Sequence, residues 1–164
     1  MTTTTTALER AREVAGAVPD PEVPVLTIAD LGVLRAVTVD ADGAVTVTVT
    51  PTYSGCPAMD AIRTDIETAL RDNGFERVEI RTVLAPAWTT DWMSEDGRRK
   101  LTEYGIAPPS PRREGGPVAL ALSVRCPLCG SPDTRELSRF GSTACKSLWQ
   151  CRSCSEPFDH FKAI

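Results

Sequence analysis

The sequence predicts an α+β domain, a small sheet packed with helices, followed by a short cysteine-rich domain. Three features predict this. β-branched runs of period two alternate with helical periodicity in the first part of the chain, a stretch rich in proline, glycine and charge interrupts it at residues 108–117, and two cysteine pairs follow that break. At 164 residues the chain suits one ordinary domain plus a small one.

The elements follow in order. Thr6-Ala7-Leu8-Glu9 reads as a capping box, and Leu8, Ala11, Ala15 and Val18 recur at helical spacing until Pro19. Asp20-Pro21-Glu22-Val23-Pro24 cannot be helix interior, because each proline fixes its own φ and pushes the residue before it toward extended backbone. A short turn follows at Thr27-Ile28-Ala29-Asp30-Leu31-Gly32. Residues 33–39 and 44–50 are β-branched runs flanking Asp40-Ala41-Asp42-Gly43, which predicts a hairpin. Val45, Val47 and Val49 share one face and Thr46, Thr48 and Thr50 the other, as in a sheet buried on one side. Pro57 fits a first helical position, and Met59, Ile62, Ile66, Ala69 and Leu70 continue a helix that Gly74 caps. Val78, Ile80 and Val83 predict a third strand, after which Trp88 and Trp92 precede a short polar helix ending near Tyr104-Gly105. Residues 108–117 carry nothing apolar to bury and read as a linker, with a strand predicted at 118–124. The expected plan is therefore a domain at 1–107, a linker at 108–117 and a second domain at 118–164.

Composition limits the function. With 41% hydrophobic and 24% charged residues, and no apolar run near the roughly 20 residues that cross a bilayer, a membrane span is excluded. Met1 and the threonines after it supply neither a basic nor an apolar leader segment, so the expectation is a cytoplasmic protein. In that reducing compartment the six cysteines are expected to bind metal or react as thiols, not to form disulfides. Residues 1–116 hold 12 Lys+Arg against 18 Asp+Glu, and residues 117–164 hold 6 against 4. Neither part offers the basic stripe that phosphate backbones require, which disfavours a nucleic-acid partner.

Cys126-Pro127-Leu128-Cys129 and Cys151-Arg152-Ser153-Cys154 are two Cys-x-x-Cys knuckles with 21 residues between them. A two-residue gap lets both sulfurs of a knuckle face one ion about 2.3 Å away, and two knuckles complete a tetrahedron. The expected fold is a zinc ribbon. Because four protein ligands leave no open position, the zinc would stabilise a domain too small for its own core and would not catalyse. An iron–sulfur cluster on the same thiolates is the competing reading, and Cys145 is a substitute ligand to consider.

Cys56 is the second candidate. It lies between the hairpin and the helix that Pro57 opens, where free amides and the helix dipole favour a thiolate that could act as nucleophile or soft-metal ligand. The plainer reading is a buried cysteine acting as a small hydrophobe. Asp20, Glu22 and Asp30 could join Cys56 as metal-site acids, although such residues more often anchor turns. His160, the single histidine, reads as a packing residue beside Phe158 and Phe161 and cannot anchor a catalytic triad alone. Trp88, Trp92 and Trp149 read as core or as a docking face. With no phosphate loop, nucleotide fingerprint or hydrolase elbow, an independent enzymatic activity is not expected.

Asp20-Pro21-Glu22-Val23-Pro24, Asp30-Leu31-Gly32 and Thr52-Tyr53-Ser54-Gly55-Cys56-Pro57 together resemble the iron–sulfur assembly family that includes SufT, over most of residues 7–105. The tail, with Phe140-Gly141-Ser142-Thr143-Ala144-Cys145-Lys146 and Pro157-Phe158-Asp159-His160-Phe161-Lys162, resembles the PaaD family of phenylacetyl-CoA epoxidase accessory components. The resemblance implies an accessory protein of aerobic phenylacetate catabolism that helps mature or assemble the multicomponent oxygenase. It implies oxygenase and reductase subunits as partners. Iron or an iron–sulfur cluster would be held transiently, with Cys56 as the matching family cysteine. One thiolate cannot saturate a cluster, so shared ligation is expected, through a second protomer in a homodimer, a small thiol or the client. A non-catalytic structural subunit of the oxygenase is the alternative.

Overall fold

The structure is a computed structural model that describes residues 2–110 and 123–164. The chain forms two compact units, Met1–Ser94 and Glu95–Ile164.

In the first unit, α1 (Thr2–Gly16) buries Ala11 and Ala15 of the expected stripe, while Leu8 is half-buried and Val18 is buried just beyond the end of the helix. The helix starts at Thr2, so the expected capping box at Thr6 lies inside it; β-branched threonine costs a helix only tenths of a kcal/mol. The proline loop then leads to α2 (Ile28–Leu31), whose N-terminus is a true capping box. Thr27 Oγ1 accepts from Asp30 N–H, and Asp30 Oδ2 accepts from Thr27 N–H, each at 3.1 Å.

Strands β1 (Leu34–Val39) and β2 (Val45–Val49) form the expected antiparallel hairpin. Its turn is tied by Asp40 Oδ1, which accepts from Asp42 and Ala44 N–H. Helix α3 (Ala58–Asp72) carries the chain across so that β3 (Val78–Thr82) pairs parallel to β2. The sheet order is β1-β2-β3. Val45, Val47 and Val49 turn to the core while their threonine neighbours Thr46 and Thr48 are half-buried, and Ile62, Ile66 and Leu70 of α3 are buried. Burying one such aliphatic side chain is worth about 1.5–3 kcal/mol, so these six residues hold the layer together.

The last part of this unit, a 3-10 turn at Thr90–Trp92, docks on α2. Trp88 Nε1 donates to Leu31 O at 2.9 Å, and Ser94 N–H donates to Asp30 O at 2.8 Å. Gly32 has φ +75, and a Cβ there would lie 2.6 Å from Trp92 O.

The second unit begins with α4 (Glu95–Glu103) and β4 (Ile106–Ala107). The expected division after residue 107 is thus displaced to 94/95. The short polar helix was expected, but β4 pairs parallel with β7 and so joins the C-terminal sheet. Strands β5 (Thr134–Ser138), β6 (Lys146–Cys151) and β7 (Pro157–Phe161) complete that sheet in the order β4-β7-β6-β5. Residues 111–117 of the expected linker and 118–122 of the expected strand lie outside the described residues; Ser123 and Val124 are not in a strand. Val124 is instead held through a side chain, its N–H donating to Thr134 Oγ1, whose hydroxyl donates to Val124 O. Ala107, Val124, Cys126, Trp149, Cys151 and Phe158 form one buried cluster. Among the described residues no helix is long and apolar enough to cross a membrane.

Candidate metal centre

The two knuckles converge. Cys126 and Cys129 flank a tight turn in which Gly130 N–H donates to Cys126 O at 2.8 Å; Cys151 ends β6, and Cys154 lies in the turn before β7. Cys126 Sγ is 3.8 Å from Cys154 Sγ, Cys129 Sγ is 3.5 Å from Cys151 Sγ, and all four sulfurs lie within 4.8 Å of one another. Four sulfurs bonded at about 2.3 Å to a tetrahedral ion sit about 3.8 Å apart, so the cradle is within about 1 Å of the geometry that such an ion takes. Disulfide pairing needs about 2.05 Å and is not present. Cys126 and Cys151 are buried while Cys129 and Cys154 are exposed, so the site has a core side and a solvent side.

The thiols do not titrate alike. Cys151 is pushed down to about 6, chiefly because the Cys154 N–H points at its sulfur, against the effect of burial. Cys154 is pushed up to about 12: the Glu156 amide favours its thiolate, but burial and the neighbouring sulfurs together outweigh it. Cys129 is also raised, its Ser131 amide contact being outweighed by Cys151 and by burial. Four negative sulfurs cannot share this volume unaided, and a divalent cation is the group that lets all four ionise.

The other expected site residues fall elsewhere. Cys145 is buried and sits 2.9 Å from Thr143 Oγ1, outside the four-sulfur set. Cys56 is half-buried in the loop before α3, after Gly55 at φ +79. Pro57 already has helical dihedrals and no side chain caps the helix; Cys56 meets its first turn through the carbonyl, which accepts from Met59 N–H. Its thiol makes no hydrogen bond among the described residues. Asp20 is buried, and its Oδ1 accepts from Glu22 and Val23 N–H, both at 2.8 Å. Glu22 is half-buried in the same loop. Among the described residues Asp20, Glu22 and Cys56 do not converge as a set of three ligands. Asp30 is engaged in the α2 cap and accepts from Ser94 Oγ at 3.3 Å. Trp88 and Trp149 are core residues, and Trp92 is half-buried under the Arg35 guanidinium, 3.6 Å from its ring.

A cluster that the sequence reading passed over surrounds His160. Trp149 Nε1 donates to Ser147 Oγ at 2.9 Å, and Ser147 Oγ lies 3.5 Å from His160 Nδ1. The alternation of Ser147, Trp149 and Cys151 in β6 puts Ser147 on the buried face, but its meeting with His160 depends on the β6–β7 register.

A sheet-and-helix unit followed by a ribbon closing on four sulfurs defines a two-part protein with a metal-binding centre in its second part. Residues 9–81 match the family described as iron-sulfur cluster assembly protein, and residues 110–162 match the PaaD zinc beta ribbon domain. The chain is 52% identical over 147 residues to an Escherichia coli (strain K12) protein named as part of a 1,2-phenylacetyl-CoA epoxidase, covering 90% of this chain and 87% of that one. It belongs to the PaaD family, and its C-terminal domain is a zinc ribbon. The first part is also 42% identical over 83 residues to an Fe-S protein maturation auxiliary factor of Porphyromonas gingivalis (strain ATCC BAA-308 / W83), covering 50% of this chain and 78% of that one. Among solved structures, a crystal structure of domain of unknown function DUF59 from Bacillus anthracis superposes with a TM-score of 0.57 at 27% identity, covering 61% of this chain and 95% of that chain.

Proposed function

We propose that this protein is an accessory factor that helps mature or assemble a multicomponent phenylacetyl-CoA epoxidase by handing over iron or an iron–sulfur cluster. The observation that carries this reading is the union, in one chain, of an iron–sulfur assembly domain with a four-sulfur ribbon. Cys126, Cys129, Cys151 and Cys154 hold one zinc ion that folds the ribbon, which docks an oxygenase or reductase subunit. The cargo is held at Cys56, whose uncommitted thiol follows a glycine turn at the head of α3. Asp20 shapes the loop that carries Glu22, and neither acid is proposed as a direct ligand beside Cys56. A single sulfur leaves a cargo ion open to ligands from the client or from a second copy of the chain, which suits transfer better than storage.

The test is elemental analysis and Mössbauer spectroscopy on protein reconstituted without oxygen, comparing wild type with Cys56→Ser. Zinc should be equal in both and iron should fall in the variant; equal iron in both removes Cys56 from the pathway. A second reading is favoured by the name of the E. coli relative, which makes that protein one of the epoxidase subunits. In that reading the protein is a lasting, non-catalytic part of the oxygenase. Oxygenase activity that survives removal of this protein supports maturation, whereas activity lost on its removal from a stoichiometric complex supports the structural role.

A further inference from the structure

On the ribbon, a cavity of about 450 Å³ opens beside β6 and β7, walled by Phe140, Trp149, Ser147 and His160. Two cations reach it, Arg139 and Lys162, against the one carboxylate of Glu136. Among the described residues the Arg139 guanidinium makes no hydrogen bond or ion pair. The Lys162 ammonium, among the described residues, meets only the Arg139 carbonyl, at 3.0 Å, and the Phe140 ring, 4.9 Å from its centroid. Neither charge is neutralised by an acid among the described residues, and Lys162 lies over the Phe140 ring.

The hydrogen bonds at the wall fix a tautomer. Indole N–H can only donate, so Ser147 Oγ accepts from Trp149 and its own proton points to His160 Nδ1, its remaining partner. The imidazole therefore carries its proton on Nε2, which is buried and makes no hydrogen bond among the described residues. Burial, with Lys162 adding to it, pushes His160 down to about 4, so the ring is neutral at physiological pH. The cavity thus sets Arg139 and Lys162 against the single carboxylate of Glu136, and a net charge of one calls for a monoanion. Phe140 and Trp149 give the wall an aromatic lining, which suits a planar apolar body.

We propose that this cavity binds a carboxylate attached to a flat apolar group, with Arg139 and Lys162 as the anion-recognising residues. The group can come from a free organic acid or from an acidic side chain beside an aromatic residue in a partner polypeptide. The proposal does not depend on the cargo site at Cys56 or on the metal held by the ribbon.

The experiment titrates the full-length, metal-replete protein with benzoate, with its neutral analogue benzamide, and with the capped dipeptide acetyl-Phe-Asp-amide. The readouts are the His160 ring and Trp149 indole resonances. Saturable shifts with benzoate or the dipeptide, but not with benzamide, are expected, and the tighter of the two identifies the source. The double variant Arg139→Gln/Lys162→Gln should weaken binding by at least about tenfold, the loss of one charge-assisted hydrogen bond or more, with an unchanged melting temperature. Equal shifts with benzoate and benzamide, no saturable shift with either acid, or undiminished binding to the double variant overturns the proposal.

Discussion

Cys129 and Cys151 hold their sulfurs 3.5 Å apart although 22 positions separate them in the chain, and the second of the two belongs to the same buried cluster as Trp149 and Phe158. Metal ligand and hydrophobic core are therefore one cooperative unit. Replacing Cys129, which is exposed and removes little core, isolates the metal's contribution. Cys129→Ser should reduce zinc from about one ion per chain and unfold the ribbon, since structural zinc supplies on the order of 10 kcal/mol of apparent binding energy to such small folds. Zinc content and Trp149 fluorescence measure the two effects. A folded ribbon with Trp149 still buried in the metal-free variant would show that the core suffices.

Gly32 should tolerate no side chain. A Cβ there meets the Trp92 backbone at 2.6 Å and the residue is at φ +75, whereas Gly43, at φ +81 in the β1–β2 turn, has nothing within 4 Å. Gly43→Ala should cost only the backbone term, about 1 kcal/mol, while Gly32→Ala should cost clearly more because the 3-10 turn must shift. Urea unfolding of the first unit's β-sheet signal compares them, and equal midpoints would mean that the Trp92 segment yields freely.

Much of this was legible from residues alone, and the reasons differ by element. The valine alternation at 45, 47 and 49 and the helical spacing of Ile62, Ile66 and Leu70 were plain because burial on one face imposes a period on sequence. The four ribbon ligands were plain because tetrahedral geometry imposes a spacing. The placement of Ile106 and Ala107 was not, since a two-residue strand has no period and its partner Asp159–His160 is distant in sequence. Asp30 and Gly32 were visible as a motif, but their task of seating Ser94 and Trp92 rests on contacts that no local pattern encodes. Ser147 and His160 escaped for the same reason, meeting only through the β6–β7 register.

Asp20 separates two roles that a sequence cannot. Its Oδ1 holds the Glu22 and Val23 amides, so Asp20→Ala leaves two donors without their acceptor and should destabilise the first unit by about 1–3 kcal/mol. Asp20→Asn keeps an amide oxygen for those donors while removing the charge. If the loop is its task, Asn restores most of the stability and leaves iron loading at Cys56 intact. A stable Asp20→Asn protein that no longer takes up iron would make the carboxylate a ligand.

His160 gives the ribbon a specific response to acid. Its folded-state pKa, about 4 against an ordinary 6.5, is lowered by burial first and by Lys162 second. A lowered value means that the unfolded chain takes up the proton more readily than the folded one. The corresponding stability is fully present above pH 6.5 and is lost as the pH falls through about 4. Carboxylates titrate in the same range, so the comparison that isolates the imidazole is wild type against His160→Gln, whose melting temperature should fall less between those two pH values. Because the chain has one histidine, its ring proton resonance reports the titration without ambiguity. A midpoint near 4 is expected, and one near 6.5 would place the ring in water and leave Trp149 and Ser147 without the neutral neighbour that their hydrogen-bond chain requires.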